Sequence, residues 1–194
     1  MAVERRIGLL GGVFDPPHEG HVALARAAIR ELPLDELLVL VVADPGHKQT
    51  TTRVDIRLEL AKLAFAGMLE AHVEVDVHAR TVDSLEERRL SKETFFILGA
   101  DELAGFEGWK SPDRVLELVR LAVAMRPGVA RDVVEAVRAR LAASERIVEF
   151  QMDPLPISSS EIRACIRDGR TIDHLVPPRV AEAIARHGLY GRPE

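Results

Sequence analysis

The chain has little cysteine and no surplus of positive charge. Cys165 is the only cysteine among 194 residues, which excludes an intrachain disulfide and a zinc site built from cysteines. A reducing cytoplasm is therefore the compartment that we expect. Lysine and arginine total 26 against 31 acidic residues, so no basic excess favours nucleic acid or an anionic membrane as a partner. One small basic site for a phosphorylated ligand stays compatible with this balance.

Long apolar runs are missing as well. The longest, residues 37–43, has the length of a strand and falls far below the ~18 residues that a membrane span requires. The first residues are polar and the apolar stretch after them breaks at Gly11 and Gly12, so we expect no targeting signal. Apolar residues make up 47% and charged residues 29% of the chain, which is typical of a soluble globular protein.

Short apolar runs alternate with longer segments of helical periodicity. Predicted strands cover residues 6–11, 37–43, 73–77, 94–98, 118–125 and 146–150. Predicted helices cover residues 22–32, 53–69, 81–90, 132–143, 159–168 and 179–187, and a further helix starts at Pro112. Strands that are buried on both faces and separated by helices predict a parallel sheet with right-handed crossovers. We expect one α/β domain over residues 1–194, with a doubly wound, Rossmann-like sheet.

The loop after the first strand carries the strongest functional signal. Residues 11–21 read Gly-Gly-Val-Phe-Asp-Pro-Pro-His-Glu-Gly-His, which is neither a Walker A loop nor a dinucleotide-binding fingerprint. Gly11 and Gly12 let a ligand approach the backbone, and the helix that follows supplies free N–H groups and the positive end of its dipole. His18 and His21 lie three residues apart at that helix start, so both imidazoles can face one pocket. This combination indicates a polyphosphate site.

Two other interpretations of this loop are weaker. A zinc site is disfavoured because His-Glu-Gly-His is one residue shorter than the His-Glu-x-x-His motif and no third ligand is evident. A surface turn with two incidental histidines does not explain why the string stands between a strand and a helix.

Residues 12–21 resemble the G-x-F-D-P-x-H-x-G-H signature of the nucleotidyltransferase superfamily, whose members transfer a nucleotidyl group to a phosphate. Later segments are similar to those of one branch, the bacterial nicotinate mononucleotide adenylyltransferases. These segments are Pro-Gly-His-Lys at 45–48, Thr-Val-Asp-Ser-Leu at 81–85, Gly-Ala-Asp at 99–101 with Trp109 after it, Ile-Ser-Ser-Ser-Glu-Ile-Arg at 157–163, and His-Gly-Leu-Tyr at 187–190. They occur in the family's order from about Ile7 to Tyr190.

The resemblance implies an enzyme of NAD (pyridine nucleotide) biosynthesis. Its substrates would be ATP and nicotinate mononucleotide (NaMN), and its products nicotinate adenine dinucleotide (NaAD) and pyrophosphate. Mg²⁺ would be carried with ATP, with no metal held by protein ligands. Neither nucleic acid nor a membrane is expected as a partner, and a homo-oligomer is compatible with the sequence. The alternatives are phosphopantetheine adenylyltransferase and a nucleotide-binding sensor without activity on the same fold.

The resemblance also implies roles for individual residues. The expected catalytic residues are His18, His21, Lys48 and Arg163. Those expected to bind ATP are Gly11, Gly12, Val13, Phe14, His18, His21, Gly99, Asp101, Ile157, Ser158, Ser159 and Arg163. Those expected to bind NaMN are Asp15, Lys48, Thr81, Trp109 and Lys110. The C-terminal helices from about residue 159 are expected to close the nucleotide site.

Several of these residues also have a structural interpretation. Asp101 and Thr81 are each suited to cap a helix, and the single tryptophan, Trp109, is of a type that often fills a core. Ser158 and Glu161 have the spacing of a capping box.

Arg163 is harder to explain by capping. A cation in the first turn of a helix opposes the helix dipole, and a phosphate partner removes that conflict.

The chain departs from the family pattern at two places. Ala79 and Arg80 stand where an aromatic residue or a serine usually precedes the threonine at 81, and Val13 replaces a common threonine or serine. Neither departure removes a reacting group, but the first changes the expected surroundings of the acceptor.

Overall fold

The computed structural model describes residues 5–46, 50, 52–125, 131–141, 143–153 and 155–191. The strands are β1 Ile7–Gly12, β2 Glu36–Val42, β3 Ala71–Asp76, β4 Phe95–Gly99, β5 Arg120–Met125 and β6 Ile147–Gln151. The helices are α1 Glu19–Glu31, α2 Val54–Phe65, α3 Thr81–Arg88, α4 Ala100–Leu103, α5 Pro112–Leu118, α6 Arg131–Arg138, α7 Ser159–Arg167 and α8 Pro178–Arg186. Short 3₁₀ turns cover Phe106–Gly108 and Ser144–Arg146.

All six strands form one parallel sheet in the order β3-β2-β1-β4-β5-β6. The chain builds outward from β1 in one direction, then returns to pair β4 against the other side of β1, so the strand order reverses between β1 and β4. Open α/β sheets bind ligands beyond the carboxyl ends of the strands at such a reversal point. The predicted doubly wound, Rossmann-like α/β fold is confirmed.

Neighbouring residues of β1 face two separate cores. Leu10 belongs to a core shared with α1, α2, α7 and α8, whereas Leu9 belongs to a core shared with α3, α4, α5 and α6. Both leucines are buried, as continuous apolar strands require in a sheet covered on both faces. The strictly alternating strand, β3, lies at one edge of the sheet.

Several predicted boundaries are wrong by two or more residues, among them the start of α1, which is Glu19 instead of residue 22. Helix α2 ends at Phe65 instead of residue 69, because the chain turns through Gly67 to bring β3 beside β2 and leaves Leu69 exposed. The strand predicted from residue 118 starts at Arg120, since the helix that begins at Pro112 continues through Leu118. Helix α6 ends at Arg138 instead of residue 143. Over the described ranges, no helix is long and apolar enough to cross a membrane.

Candidate active site

The loop between β1 and α1, residues 13–18, is called loop 1 here, and its shape depends on Phe14. This residue has a φ of +52° and is buried, with its ring packed edge-on against Phe65 and His21 at centroid distances of 5.8 and 5.0 Å. A Cβ on Gly12 would lie 2.8 Å from the Phe14 ring. Glycine is therefore needed at 12 for the ring to fold under the end of β1.

The two histidines come together at the start of α1. His18 is the N-cap of the helix, and its ring stacks on that of His21 with centroids 3.7 Å apart. The backbone N–H of His18 donates to Nδ1 of His21 at 3.2 Å, so a neutral His21 carries its proton on Nε2. A Cβ on Gly20 would lie 3.0 Å from Nδ1 of His18, which explains the glycine between the histidines.

A buried arginine fastens loop 1 to the end of β2. Arg57 of α2 is 1% exposed, and its guanidinium donates to the carbonyl oxygens of Val13 and Val42 at 2.8 Å, Ala43 at 2.9 Å and Thr52 at 3.0 Å. Burial lowers the pKa of this guanidinium. One cation thus joins loop 1 to the strand end that precedes residues 45–48.

Residues from the C-terminal part of the chain hold the next section of loop 1. Arg163 Nη1 donates to the Asp15 carbonyl at 2.6 Å, and Ser159 Oγ donates to the Pro16 carbonyl at 2.8 Å. The Tyr190 hydroxyl donates to Oδ1 of Asp15 at 2.6 Å, and burial raises the pKa of that hydroxyl far above its usual range. Arg57, Ser159, Arg163 and Tyr190 are together called the loop clamp.

The start of α7 has the cap that the sequence indicates. Ser158 Oγ accepts a hydrogen bond from the backbone N–H of Glu161 at 3.1 Å. Arg163, one turn further on, bonds to Ser160 Oγ at 3.2 Å as well as to the carbonyl of Asp15. Its charge therefore has polar partners within the protein, and its contact with a phosphate stays a prediction.

A cavity of about 710 Å³ opens beside loop 1, a volume suited to a small-molecule ligand. Its wall contains seven of the predicted binding residues, namely Gly11, Gly12, Val13, Thr81, Asp101, Trp109 and Lys110. Trp109 also packs against Phe96 at 5.8 Å and Phe106 at 5.2 Å between ring centroids. The tryptophan thus belongs to the core and to the cavity wall at once.

Residues 9–165 match the model of the cytidylyltransferase-like family. The chain belongs to that family. A relative from Thermomicrobium roseum, named "Probable nicotinate-nucleotide adenylyltransferase", is 38% identical over 95% of this chain and 91% of its own. A relative of the same name from Bordetella avium is 38% identical over 96% of this chain and 98% of its own. The predicted family resemblance is confirmed.

A solved structure has the same fold. The Plasmodium falciparum nicotinic acid mononucleotide adenylyltransferase complexed with NaAD superimposes with a TM-score of 0.76, covering 96% of this chain and 98% of that one. The two sequences are 18% identical, so this likeness bears on the fold alone.

Other predicted site residues lie in loop 1, at the end of β4 and before α7. Asp15 is buried and its carboxylate accepts a hydrogen bond from Tyr190, and its contact with NaMN stays a prediction. Gly99 ends β4, and Ile157 precedes the α7 cap. Lys48 lies outside the described residues.

The helix-cap alternatives for two residues are wrong. Arg80 and not Thr81 occupies the N-cap of α3, and Gly99 and not Asp101 occupies that of α4. Thr81 and Asp101 each lie inside the first turn of the helix, and both line the cavity.

Sequence reasoning missed three residues of this region. Arg57 shares the buried face of α2 with Leu60 and Ala61. Its helical spacing therefore indicated burial, whereas its charge indicated exposure. Tyr190 belongs to the recognised C-terminal segment but had no assigned role.

His78 is the third missed residue. Its Nδ1 lies 2.8 Å from Oδ1 of Asp76 and its Nε2 lies 2.9 Å from Oε2 of Glu87, and these two bonds raise the pKa of the imidazole. Both Asp76 and His78 line the cavity. Over the described residues, no group of three or more histidine, cysteine or acidic side chains is placed to hold a metal ion.

Proposed function

We propose that the protein transfers the adenylyl group of ATP to the phosphate of NaMN, giving NaAD and pyrophosphate. The observation that carries this proposal is the position of the cavity, whose wall includes Trp109 and the glycines that lead into loop 1, with the histidine pair after that loop at the start of α1. The names of the curated relatives support the same acceptor.

The chemistry requires positioning more than proton transfer. A phosphate oxygen of NaMN forms a bond to the α-phosphorus of ATP while the bond to the β-phosphate bridging oxygen breaks and pyrophosphate leaves. The attacking phosphate is already an anion near neutral pH, so no general base is needed. The barrier lies in bringing two anions together and in the charge on the leaving group, which fixed donors stabilise.

His18 and His21 are the donors proposed for the triphosphate. The bond from the His18 backbone to Nδ1 of His21 makes Nε2 the N–H donor of a neutral His21, and we propose that this donor contacts the triphosphate. Both rings stand at the N-terminus of α1, where the helix dipole also favours negative charge. Arg163 uses two N–H groups within the protein, and the guanidinium has others to offer a phosphate. We assign Lys48 the same neutralising role.

The remaining ATP contacts follow the fold. The backbone of residues 11–14 and the start of α7 at 157–159 are proposed to contact phosphates, with Gly99 and Asp101 near the ribose, where a carboxylate accepts bonds from a diol. The substrate is MgATP. We propose that this Mg²⁺ is bound mainly by phosphate oxygens and water, as Mg²⁺ usually is with nucleotide substrates.

At the acceptor end, the pyridinium ring of NaMN is proposed to lie on the indole of Trp109, beside Thr81. A fixed positive charge over an indole face gains about 0.5–2 kcal/mol. Lys110 is bonded to Asp83 at 2.6 Å, so its charge is partly neutralised before any ligand arrives. The cytoplasmic location and a homo-oligomeric state remain predictions of this proposal.

The test is an acceptor panel with purified protein and MgATP. Release of pyrophosphate and the mass of the product are measured with NaMN, nicotinamide mononucleotide (NMN) and phosphopantetheine. We expect NaAD and pyrophosphate in equal amounts with NaMN. Product with phosphopantetheine alone would identify the protein as a phosphopantetheine adenylyltransferase instead. ATP binding without product from any acceptor would favour a nucleotide-binding sensor without activity. A reaction without acceptor is the control for ATP hydrolysis.

A further inference from the structure

The positive side chains on the acceptor end of the cavity wall are not equivalent. His78, Arg80 and Lys110 all line it. Lys110 is paired with Asp83 at 2.6 Å, and His78 stands between two carboxylates at 2.8 and 2.9 Å. Arg80, in contrast, has no carboxylate partner within the part of the chain that the structure describes. It is the cation of this group whose charge is left for a ligand.

The position of Arg80 places its charge at the mouth of the cavity. The residue is the extended N-cap of α3, directly before Thr81, and its side chain is exposed. Its Nη1 lies 4.0 Å from the point that a Cβ on Gly46 would occupy. Gly46 follows Pro45, which also lines the cavity, so the guanidinium stands between the start of α3 and the loop after β2.

The backbone that carries Arg80 is fixed on both sides. Asp76 accepts bonds from both the backbone N–H and Nδ1 of His78, at 3.1 and 2.8 Å. Nε2 of His78 bonds to Glu87, which belongs to α3. The histidine thus joins the end of β3 to the helix that Arg80 caps. A fixed backbone with an exposed guanidinium is suited to form a bidentate contact when an oxyanion arrives.

We propose that Arg80 binds an oxyanion of the acceptor and thereby determines acceptor preference. The oxyanion is either the pyridine carboxylate or the phosphate of NaMN, and both are matched by the planar fork of a guanidinium. This inference rests on the proposed function for the identity of the acceptor. It also assigns a role to the residue that stands where the resembling family has an aromatic residue or a serine.

The binding test uses the fluorescence of Trp109, the only tryptophan, which lines the same cavity. Titrations with NaMN, NMN and nicotinate riboside are compared for the unmodified protein, Arg80→Ala and Arg80→Lys. NMN keeps the phosphate and lacks the carboxylate, whereas nicotinate riboside keeps the carboxylate and lacks the phosphate. The matched control is Arg26→Ala, which removes an exposed arginine of α1 that does not line the cavity.

We expect Arg80→Ala to raise the Kd for NaMN by about ten-fold, as for a lost charge-assisted contact, and Arg80→Lys to restore part of the loss. If the carboxylate is bound, nicotinate riboside weakens with NaMN and NMN does not; if the phosphate is bound, NMN weakens instead. A Kd for NaMN that is no more affected than in Arg26→Ala overturns the proposal. Failure of the unmodified protein to form NaAD would overturn the proposed function but leave this binding result readable.

Discussion

The two ends of the candidate active site differ in how deeply they are buried. Loop 1 is buried, and its carbonyl oxygens accept bonds from Arg57, Ser159 and Arg163. The proposed acceptor end has exposed side chains at Arg80 and Lys110, and Lys110 forms an ion pair with Asp83. The end proposed to stabilise the transition state is thus preorganised, as electrostatic catalysis requires, and the end proposed to select the acceptor has side chains left to adjust.

The loop clamp also explains how residues of the C-terminal part of the chain hold a loop near its start. Arg163 and Tyr190 are 148 and 175 residues away from Asp15 in sequence. Both reach it because α7 and α8 pack in the same core as α1 and α2. The C-terminal part of the chain thus holds loop 1, and closure of the nucleotide site by these helices stays a prediction.

The largest expected effect is the loss of stability on replacing Arg57. Arg57→Met removes donors from four carbonyl groups in a buried place, and we expect the free energy of unfolding to fall by about 3 kcal/mol or more. Urea denaturation followed by circular dichroism measures it. Arg26→Met, at an exposed position of α1, is the control and should change stability little. Equal stability of the two variants would show that the buried cation does not secure the loop.

A second large effect is expected on turnover and not on folding. His21→Ala removes the donor at Nε2, and we expect kcat to fall by about 10²-fold or more, while loss of the bond from the His18 backbone lowers stability by about 1 kcal/mol and leaves the protein folded. Steady-state pyrophosphate release measures kcat, and His18→Ala is expected to behave alike. A folded variant with normal kcat would remove that histidine from the chemistry.

At the acceptor end, the expected change is in KM for NaMN. Trp109→Ala removes the indole face, so we expect KM for NaMN to rise by roughly 3- to 30-fold, from about 0.5–2 kcal/mol, with KM for ATP little changed. Trp109→Phe keeps an aromatic face and the contacts with Phe96 and Phe106, and serves as the matched variant. Equal increases in both KM values would argue against a specific contact with NaMN.

The smallest expected effect concerns one hydroxyl of the clamp. Tyr190→Phe removes the bond to Asp15 and should cost about 1 kcal/mol of stability at neutral pH. The pKa of Tyr190 is raised in the folded state, so its stabilising contribution is present below its unfolded pKa and is lost as pH rises above about 10. The difference in stability between the unmodified protein and Tyr190→Phe should therefore shrink in alkaline solution. A constant difference across that range would contradict the buried hydrogen bond.

Periodicity and motif spacing predicted most of the fold. The strands appear at or near their predicted positions because each is a short apolar run bounded by polar or glycine-rich turns, and β3 alternates because it lies at an edge. The end of α2 was predicted four residues too late although Gly67 is a local signal for a helix end, and the pairing of β3 with β2 explains why the chain turns there.

The candidate site was predicted where the backbone itself carries the signal. The glycines and histidines of residues 11–21 have spacings that specify a strand end and a helix start. The partners of loop 1 have no such local pattern, since Arg57 donates to carbonyl oxygens from separate parts of the chain. The pairing of Lys110 with Asp83 likewise depends on how α3 packs, and it leaves Arg80 as the cation of this part of the cavity wall without a carboxylate partner among the described residues.

The central claim is that one end of the site performs the transfer while the other selects the acceptor. The most direct measurement is kcat/KM for NaMN in the double variant His21→Ala/Trp109→Ala beside both single variants. Independent contributions multiply, so we expect the loss in the double variant to equal the product of the two single losses. A double variant no worse than His21→Ala alone would contradict the account, because the two ends would then be acting as a single unit.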